Sequence, residues 1–233
     1  MTKEVRKIIT TVIFCEFLIC LGMSLIFPVM PFIKNEYGFS AFDMGVMSSL
    51  FAFVQFVASP VVGRVSDKFG RKPMLVWGLL IFSLAEFLFA IAQHLWAFDI
   101  SRAIDGLSAA MFVPTSMALA ADLTSVKERA KVIGWLSAAF SGGLILGPGL
   151  GGVLANVSYK FPFWVAGGLG LVSTIVAWVL LPRNDDERFK STTKNPESQL
   201  LGSTWSQVKK MMTPALIMLF VMIFVAAFGL AGF

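Results

Sequence analysis

The sequence predicts an all-α polytopic membrane protein, and three observations carry that expectation. Hydrophobic residues make up 57% of the 233, charged residues 14%, and the mean hydropathy is +0.79. A soluble domain is about 45–50% apolar and about 25% charged. Second, the chain divides into apolar stretches near the length of about 20 residues that a spanning helix needs. Third, its lysines and arginines gather in alternate connections between those stretches.

Seven stretches qualify, in order. Ile8–Ile33 is interrupted only by Glu16, and Met44–Gly63 carries no charge. Pro73–Phe98 holds only Glu86. Ala103–Ala121 holds Asp105, with Arg102 just before it. Val132–Tyr159 and Phe161–Pro182 are uncharged. Met211–Phe233 is also uncharged, and the sequence ends inside it.

Basic residues set the direction. Lys3, Arg6 and Lys7 precede the first stretch, and Arg64, Lys68, Arg71 and Lys72 follow the second. Lys127, Arg129 and Lys131 follow the fourth. Arg183, Arg188, Lys190, Lys194, Lys209 and Lys210 follow the sixth. The other side has only Lys34 and Lys160. Basic loops stay cytoplasmic, so a cytoplasmic N-terminus in a bacterial cell membrane is expected. The net charge of +5 is then a matter of topology, and nucleic acid is not an expected partner.

Residues 1–182 are expected to form a six-helix bundle built from two three-helix repeats. Residues 183–210, which include "NDDERFKSTTKNPESQ", read as a cytoplasmic linker. Residues 211–233 read as the first helix of a second bundle, so the sequence is expected to be a fragment. Cys15 and Cys20 share one stretch and read as small buried apolar residues, while the single His94 reads as a loop residue. No metal or cofactor is expected, and no hydrolase constellation is visible.

The loop after the second stretch reads "GRVSDKFGRKP". Gly63 and Gly70 suit a compact turn, and Asp67 sits among basic residues. The pattern G-x-x-x-D-K-x-G-R-K resembles the cytoplasmic motif of the major facilitator superfamily. The resemblance implies the major facilitator fold and a charge cluster of Asp67 and Arg71, with Lys72 beside them and Asp122 as acidic partner. Such a cluster would lock an outward-open state against the second bundle.

The fourth stretch opens "SRAIDGLSAAMF". A charge inside a spanning helix costs about 2.5–3.5 kcal/mol. Arg102 and Asp105 are three apart and share a helix face. They read either as a self-contained ion pair or as a proton relay. R-x-x-x-G-x-x-A-A, with Arg102, Gly106, Ala109 and Ala110, resembles a motif of drug:proton antiporters in which the arginine takes part in proton transfer. Asp105 is outside that pattern. Glu16 lies twelve residues before Pro28, a spacing that resembles multidrug facilitator pumps whose acid recognises cationic drugs. An acid in low dielectric can load and release a proton near neutral pH. Glu16 therefore reads as a coupling and drug-binding residue, or else as a hydrogen-bonded structural acid. Glu86, in "SLAEFLFA", reads as a weaker candidate on a peripheral helix.

The fifth stretch contains "SGGLILGPGLGGVL". Gly143, Gly147 and Gly151 recur every four residues and bare one helix face, which lets another backbone approach in lipid. Pro148 removes a backbone donor, which membrane helices tolerate. G-x-x-x-G-P-x-x-G-G, ending at Gly152, resembles the fifth-helix motif of drug:proton antiporters. The same letters satisfy G-x-G-x-x-G, but no strand precedes them, so a dinucleotide site is excluded.

"LGMSLIFPVMP", "SEF"-like and "LILGPG" segments extend the likeness to the N-terminal half of Gram-positive quinolone and multidrug efflux pumps. The resemblance implies proton-coupled efflux of amphipathic or cationic drugs, with Met23 and Phe140 at pocket positions. Gln55, the only amide in its uncharged stretch, is expected to face a cavity rather than lipid. The alternatives are a sugar or metabolite facilitator, or a non-transporting remnant.

Overall fold

The computed structural model describes residues 1–181, and the linker and seventh stretch expected from the sequence lie outside them. The described residues form seven α-helices: α1 (Lys3–Ser24), α2 (Met30–Tyr37), α3 (Ala41–Phe69), α4 (Arg71–Ile91), α5 (Leu95–Leu123), α6 (Val126–Ala155) and α7 (Phe161–Leu180). All except α2 are long and apolar enough to span a bilayer.

The first expected stretch is two helices rather than one. α1 starts earlier, at Lys3, where the Thr2 hydroxyl accepts from the Val5 N–H as an N-cap. It ends at Ser24, and turns carry the chain to α2, where Pro31 occupies the first turn. Proline is preorganised for a helix start and unfit for an interior. Pro28 and Pro31 therefore separate the span from a short helix that α2 lays at its end. α2 stops at Gly38, whose φ of 66° is left-handed.

The second stretch is longer than its apolar run. Ser40 and Asp43 form a capping box that starts α3, and the helix runs on to Phe69. Gly63 is thus helical, with open space where a Cβ would stand, and no turn forms there. This corrects the expectation of a turn at both glycines. The turn is made at Gly70 alone, where φ is 98°. Helical geometry satisfies the backbone up to that point, so the charged tail of α3 extends the span into a polar region.

The packing order reveals the repeat. α3 packs on α5, α5 on α4, α4 on α7, α7 on α1, and α1 on α6. Exchanging α1 with α5, α3 with α6 and α4 with α7 reproduces the same set of pairs. The related helices α3 and α6 are also the least covered, with 11% and 17% of their apolar windows buried against 61% for α1 and α5.

One core of Ile19, Leu25, Leu79, Phe82, Phe112 and Leu136 joins α1, α4, α5 and α6. A second core lies at the end away from the N-terminus. There Phe98 meets Phe89 edge-on at 4.8 Å, and Tyr37 at 5.4 Å. Edge-to-face aromatic pairs add about 0.5–1.5 kcal/mol beyond their buried area. The Tyr37 hydroxyl also reaches the Tyr159 hydroxyl at 3.1 Å and donates to the Ala92 carbonyl at 3.3 Å. The outer surface carries Phe53, Phe56, Trp77, Ile145 and Trp178, all exposed. A surface of that kind suits hydrocarbon rather than water.

Candidate functional site

Three charge centres lie within the bundle, and each is positioned by a different helix contact. The first is Glu16, midway along α1 and 1% exposed. Its Oε2 accepts a hydrogen bond of 2.7 Å from the Ser116 hydroxyl of α5. The same hydroxyl lies 2.9 Å from the Val113 carbonyl. A hydroxyl has one proton to give and two lone pairs to receive. It can donate to ionised Glu16, or turn to the carbonyl and accept from protonated Glu16. Both protonation states of this buried acid keep a partner.

The second centre is Arg102, two turns inside α5 rather than just outside the span. Its Nη1 lies 3.0 Å from Asp105 Oδ2, one turn on, and its Nη2 donates to Glu86 Oε1 of α4 at 3.0 Å. The guanidinium also stands 4.8 Å from the Phe89 ring. All three ionisable side chains are buried. Gly106 explains how the helices close here. A Cβ at that position would run into the Phe51 carbonyl, so only glycine admits α3 against α5. On the other side the Ser108 hydroxyl donates to the Gly78 carbonyl at 2.9 Å, tying α5 to α4.

The third centre sits at the end that carries the N-terminus. Arg71, at the start of α4, pairs with Asp67 at 2.6 Å and Asp122 at 3.1 Å, and donates to the Ser66 hydroxyl at 3.1 Å. Asp122 is shielded at 13% side-chain exposure, whereas Asp67 is open at 65%. Exposed pairs contribute about 0–1 kcal/mol, so Asp122 is the stronger partner. Lys72 turns away, and its Nζ donates to the Trp178 carbonyl at 2.8 Å and to the Leu181 carbonyl at the end of α7. Lysine at a helix C-terminus satisfies carbonyls that have no intrahelical donor.

The glycine row is an α1–α6 seam. Gly143, Gly147 and Gly151 are buried, and a Cβ on Gly143 would come within 2.7 Å of the Leu21 backbone nitrogen. A Cβ on Gly147 would come within 2.8 Å of the Leu21 carbonyl, and on Gly151 within 2.6 Å of the Leu25 carbonyl. The close approach permits a hydrogen bond of 3.0 Å from Ser24 Oγ of α1 to the Gly143 carbonyl. Gly152 has open space around it, and α6 continues through Pro148.

Met23 and Phe140 are half-buried and pack on the main core beside this seam. Gln55 is half-buried on α3. A hollow of about 500 Å³ lies along α3, lined by Phe42, Gly45, Val46, Ser49, Leu50 and Phe53, and takes in none of the three. The sequence marks Glu86 only as a weaker candidate on a peripheral helix, and Ser116 not at all. Glu86 stands against Arg102 rather than at the periphery, a pairing that the need to balance every charge within a span can suggest. Ser116 has no sequence signal, because its partner is 100 residues away.

Residues 12–233 match the Major Facilitator Superfamily. The chain is 39% identical over 231 residues to "Multidrug resistance protein 1" of Bacillus subtilis, covering 99% of this chain and 57% of that protein. It is 39% identical over 232 residues to "Quinolone resistance protein NorA" of Staphylococcus aureus, covering 98% and 57%. The chain thus spans little more than half the length of these curated relatives. Among solved structures, the human organic anion transporter MFSD10 superposes with a TM-score of 0.66 at 25% identity, over 78% of this chain and 48% of that one. An inward-facing bacterial homologue of the lysosomal transporter Spinster superposes with a TM-score of 0.72 at 15% identity, over 78% and 44%, and shares the fold.

Proposed function

The chain belongs to the major facilitator superfamily, and from that premise we propose that it is the N-terminal part of a proton-driven exporter of amphipathic, often cationic, drugs. The exporter works by alternating access in a bacterial cytoplasmic membrane, with the basic end of the bundle inside the cell. A second six-helix bundle completes the cavity, so residues 1–233 alone do not transport.

The observation that carries this reading is the Glu16–Ser116 pair. A buried carboxyl whose one partner serves it charged or neutral can exchange a proton for a cationic drug without losing its hydrogen bond. Competition for one carboxyl couples the two fluxes, since each ligand lowers the affinity for the other by the same factor. Arg102 and Asp105 belong to the proton path. Met23, Gln55 and Phe140 contribute adaptable and polar surface to the drug site. Asp67, Arg71 and Asp122 hold the cytoplasmic end of the outward-open state. Gly143, Gly147 and Gly151 let α1 and α6 move as one unit, which bears on Glu16 directly. The relatives named for multidrug and quinolone resistance support a drug as cargo over a sugar.

The test is reconstitution of the full-length transporter in liposomes with an imposed pH gradient. Ethidium is expected to accumulate against its gradient only while the pH gradient lasts, and Glu16→Gln is expected to impair ethidium export more than export of a neutral drug. Gradient-driven movement of a sugar, with ethidium unmoved, would replace this reading by that of a metabolite facilitator.

A further inference from the structure

Arg102 is held by two carboxylates, and the charges do not balance. Arg102 is 4% exposed, Glu86 1% and Asp105 0%. Fully ionised, the cluster carries one net negative charge in surroundings where an unpaired charge is heavily penalised. No second cation stands by to compensate. Among the described residues, Arg102 alone pairs with Glu86 and Asp105.

Apart from Glu16, the other charged groups of the packed helices lie toward the helix ends. Glu16 of α1 meets Ser116, and Asp43 of α3 acts on Asp99, nearer the start of α5. Arg71 of α4 meets Asp122 at the basic end. The charges of α6, Lys127, Glu128, Arg129 and Lys131, fall in its first two turns. α7 carries none. Three buried oxygens of the cluster, Glu86 Oε2 and both oxygens of Asp105, have no hydrogen-bond partner. Of these, Asp105 Oδ2 faces the guanidinium at 3.0 Å, while Glu86 Oε2 and Asp105 Oδ1 are each a place for a proton that the arginine does not occupy.

We propose that Glu86, Arg102 and Asp105 form a one-proton site, distinct from Glu16. A single proton added to either carboxylate makes the cluster neutral, with the guanidinium unchanged. The proton belongs to the coupled pair of acids rather than to one of them. The site lies on α5 eleven residues from Ser116, roughly 16 Å along the helix at about 1.5 Å per residue. The described residues therefore hold two proton stations at different depths. This assignment deepens the part given to Arg102 and Asp105 and adds Glu86, but it needs only the membrane-embedded fold and not drug export.

The experiment is difference infrared spectroscopy of the purified full-length protein in lipid nanodiscs at neutral pH. It is done in a Glu16→Gln background, so that the other station is silent. One carboxylic acid C=O band is expected. Glu86→Gln and Asp105→Asn are each expected to abolish it, because either leaves one carboxylate balanced by Arg102. Glu86→Asp is expected to keep it. Absence of the band before these changes, or its survival in both neutral variants, overturns the proposal. Should Glu86→Gln fail to fold, Asp105→Asn decides alone. Failure of ethidium transport in liposomes would leave this measurement untouched, so the two readings fail separately.

Discussion

Arg102 touches two buried carboxylates and a ring, so its removal does more than delete a charge. Arg102→Ala leaves Glu86 and Asp105 facing each other without a counter-ion. Breaking a buried pair of this kind costs about 3–5 kcal/mol. A loss of that size is expected in the thermal unfolding of the detergent-solubilised protein, and it should shrink at acid pH as both carboxyls take protons. Arg102→Lys keeps the charge but has a single nitrogen to place between two acids 3.0 Å from separate nitrogens of the guanidinium. It is expected to fall between wild type and Ala in the same melt. At this scale the sequence was partly readable. Arg102 and Asp105 are one turn apart on a helix, so spacing alone puts them on one face. Glu86 arrives from another helix, and only tertiary packing shows that the two-turn depth of Arg102 in α5 matches its level in α4. Ser116 is one hydroxyl among many, and nothing local marks it as the partner of Glu16.

Helices in lipid associate through shape, and the α1–α6 seam gives that idea a clean contrast. Gly147→Ala drives a methyl into Ser24 and the Leu21 carbonyl, whereas Gly149→Ala and Gly152→Ala meet nothing within 4 Å. Overpacking costs about 1–3 kcal/mol, so Gly147→Ala is expected to lower the melting temperature and the two controls to leave it unchanged or raised. The four-residue recurrence of Gly143, Gly147 and Gly151 made this face legible from the letters. Which helix lies against it was not, because a bare face specifies closeness and not the identity of its neighbour. Element boundaries were blurred for a related reason. Apolar runs report where lipid begins and ends, while caps and turns report where the helix does. Ser40 and Gly70 bracket α3 well beyond its uncharged stretch, and Pro28 and Pro31 divide an apolar run that hydropathy reads as continuous.

For the molecule as a whole, topology is the property with the most direct check. Single cysteines replacing Lys34 and Lys160 are expected to react with a membrane-impermeant maleimide added to intact cells. A cysteine replacing Lys127 is expected to react only after permeabilisation. Reaction of all three from outside would reverse or dissolve the proposed orientation. Cys15 and Cys20 are buried and do not compete. The six-span plan was legible because charge and apolar length act on every residue of a span at once, which averages out local ambiguity. The exchange relation between the two three-helix groups was foreseen as a repeat. Its physical content, the pairing of α3 with α5 and α1 with α6, required the coordinates.

The adjacent residues Arg71 and Lys72 join three helix ends through two consecutive positions. One grips Asp67 and Asp122, near the ends of α3 and α5, and the other grips the last carbonyls of α7. Any tension on the chain as it leaves Leu181 is therefore delivered, through a single peptide unit, to the ionic knot beside it. Whatever pulls on the exit of the bundle also pulls on that knot.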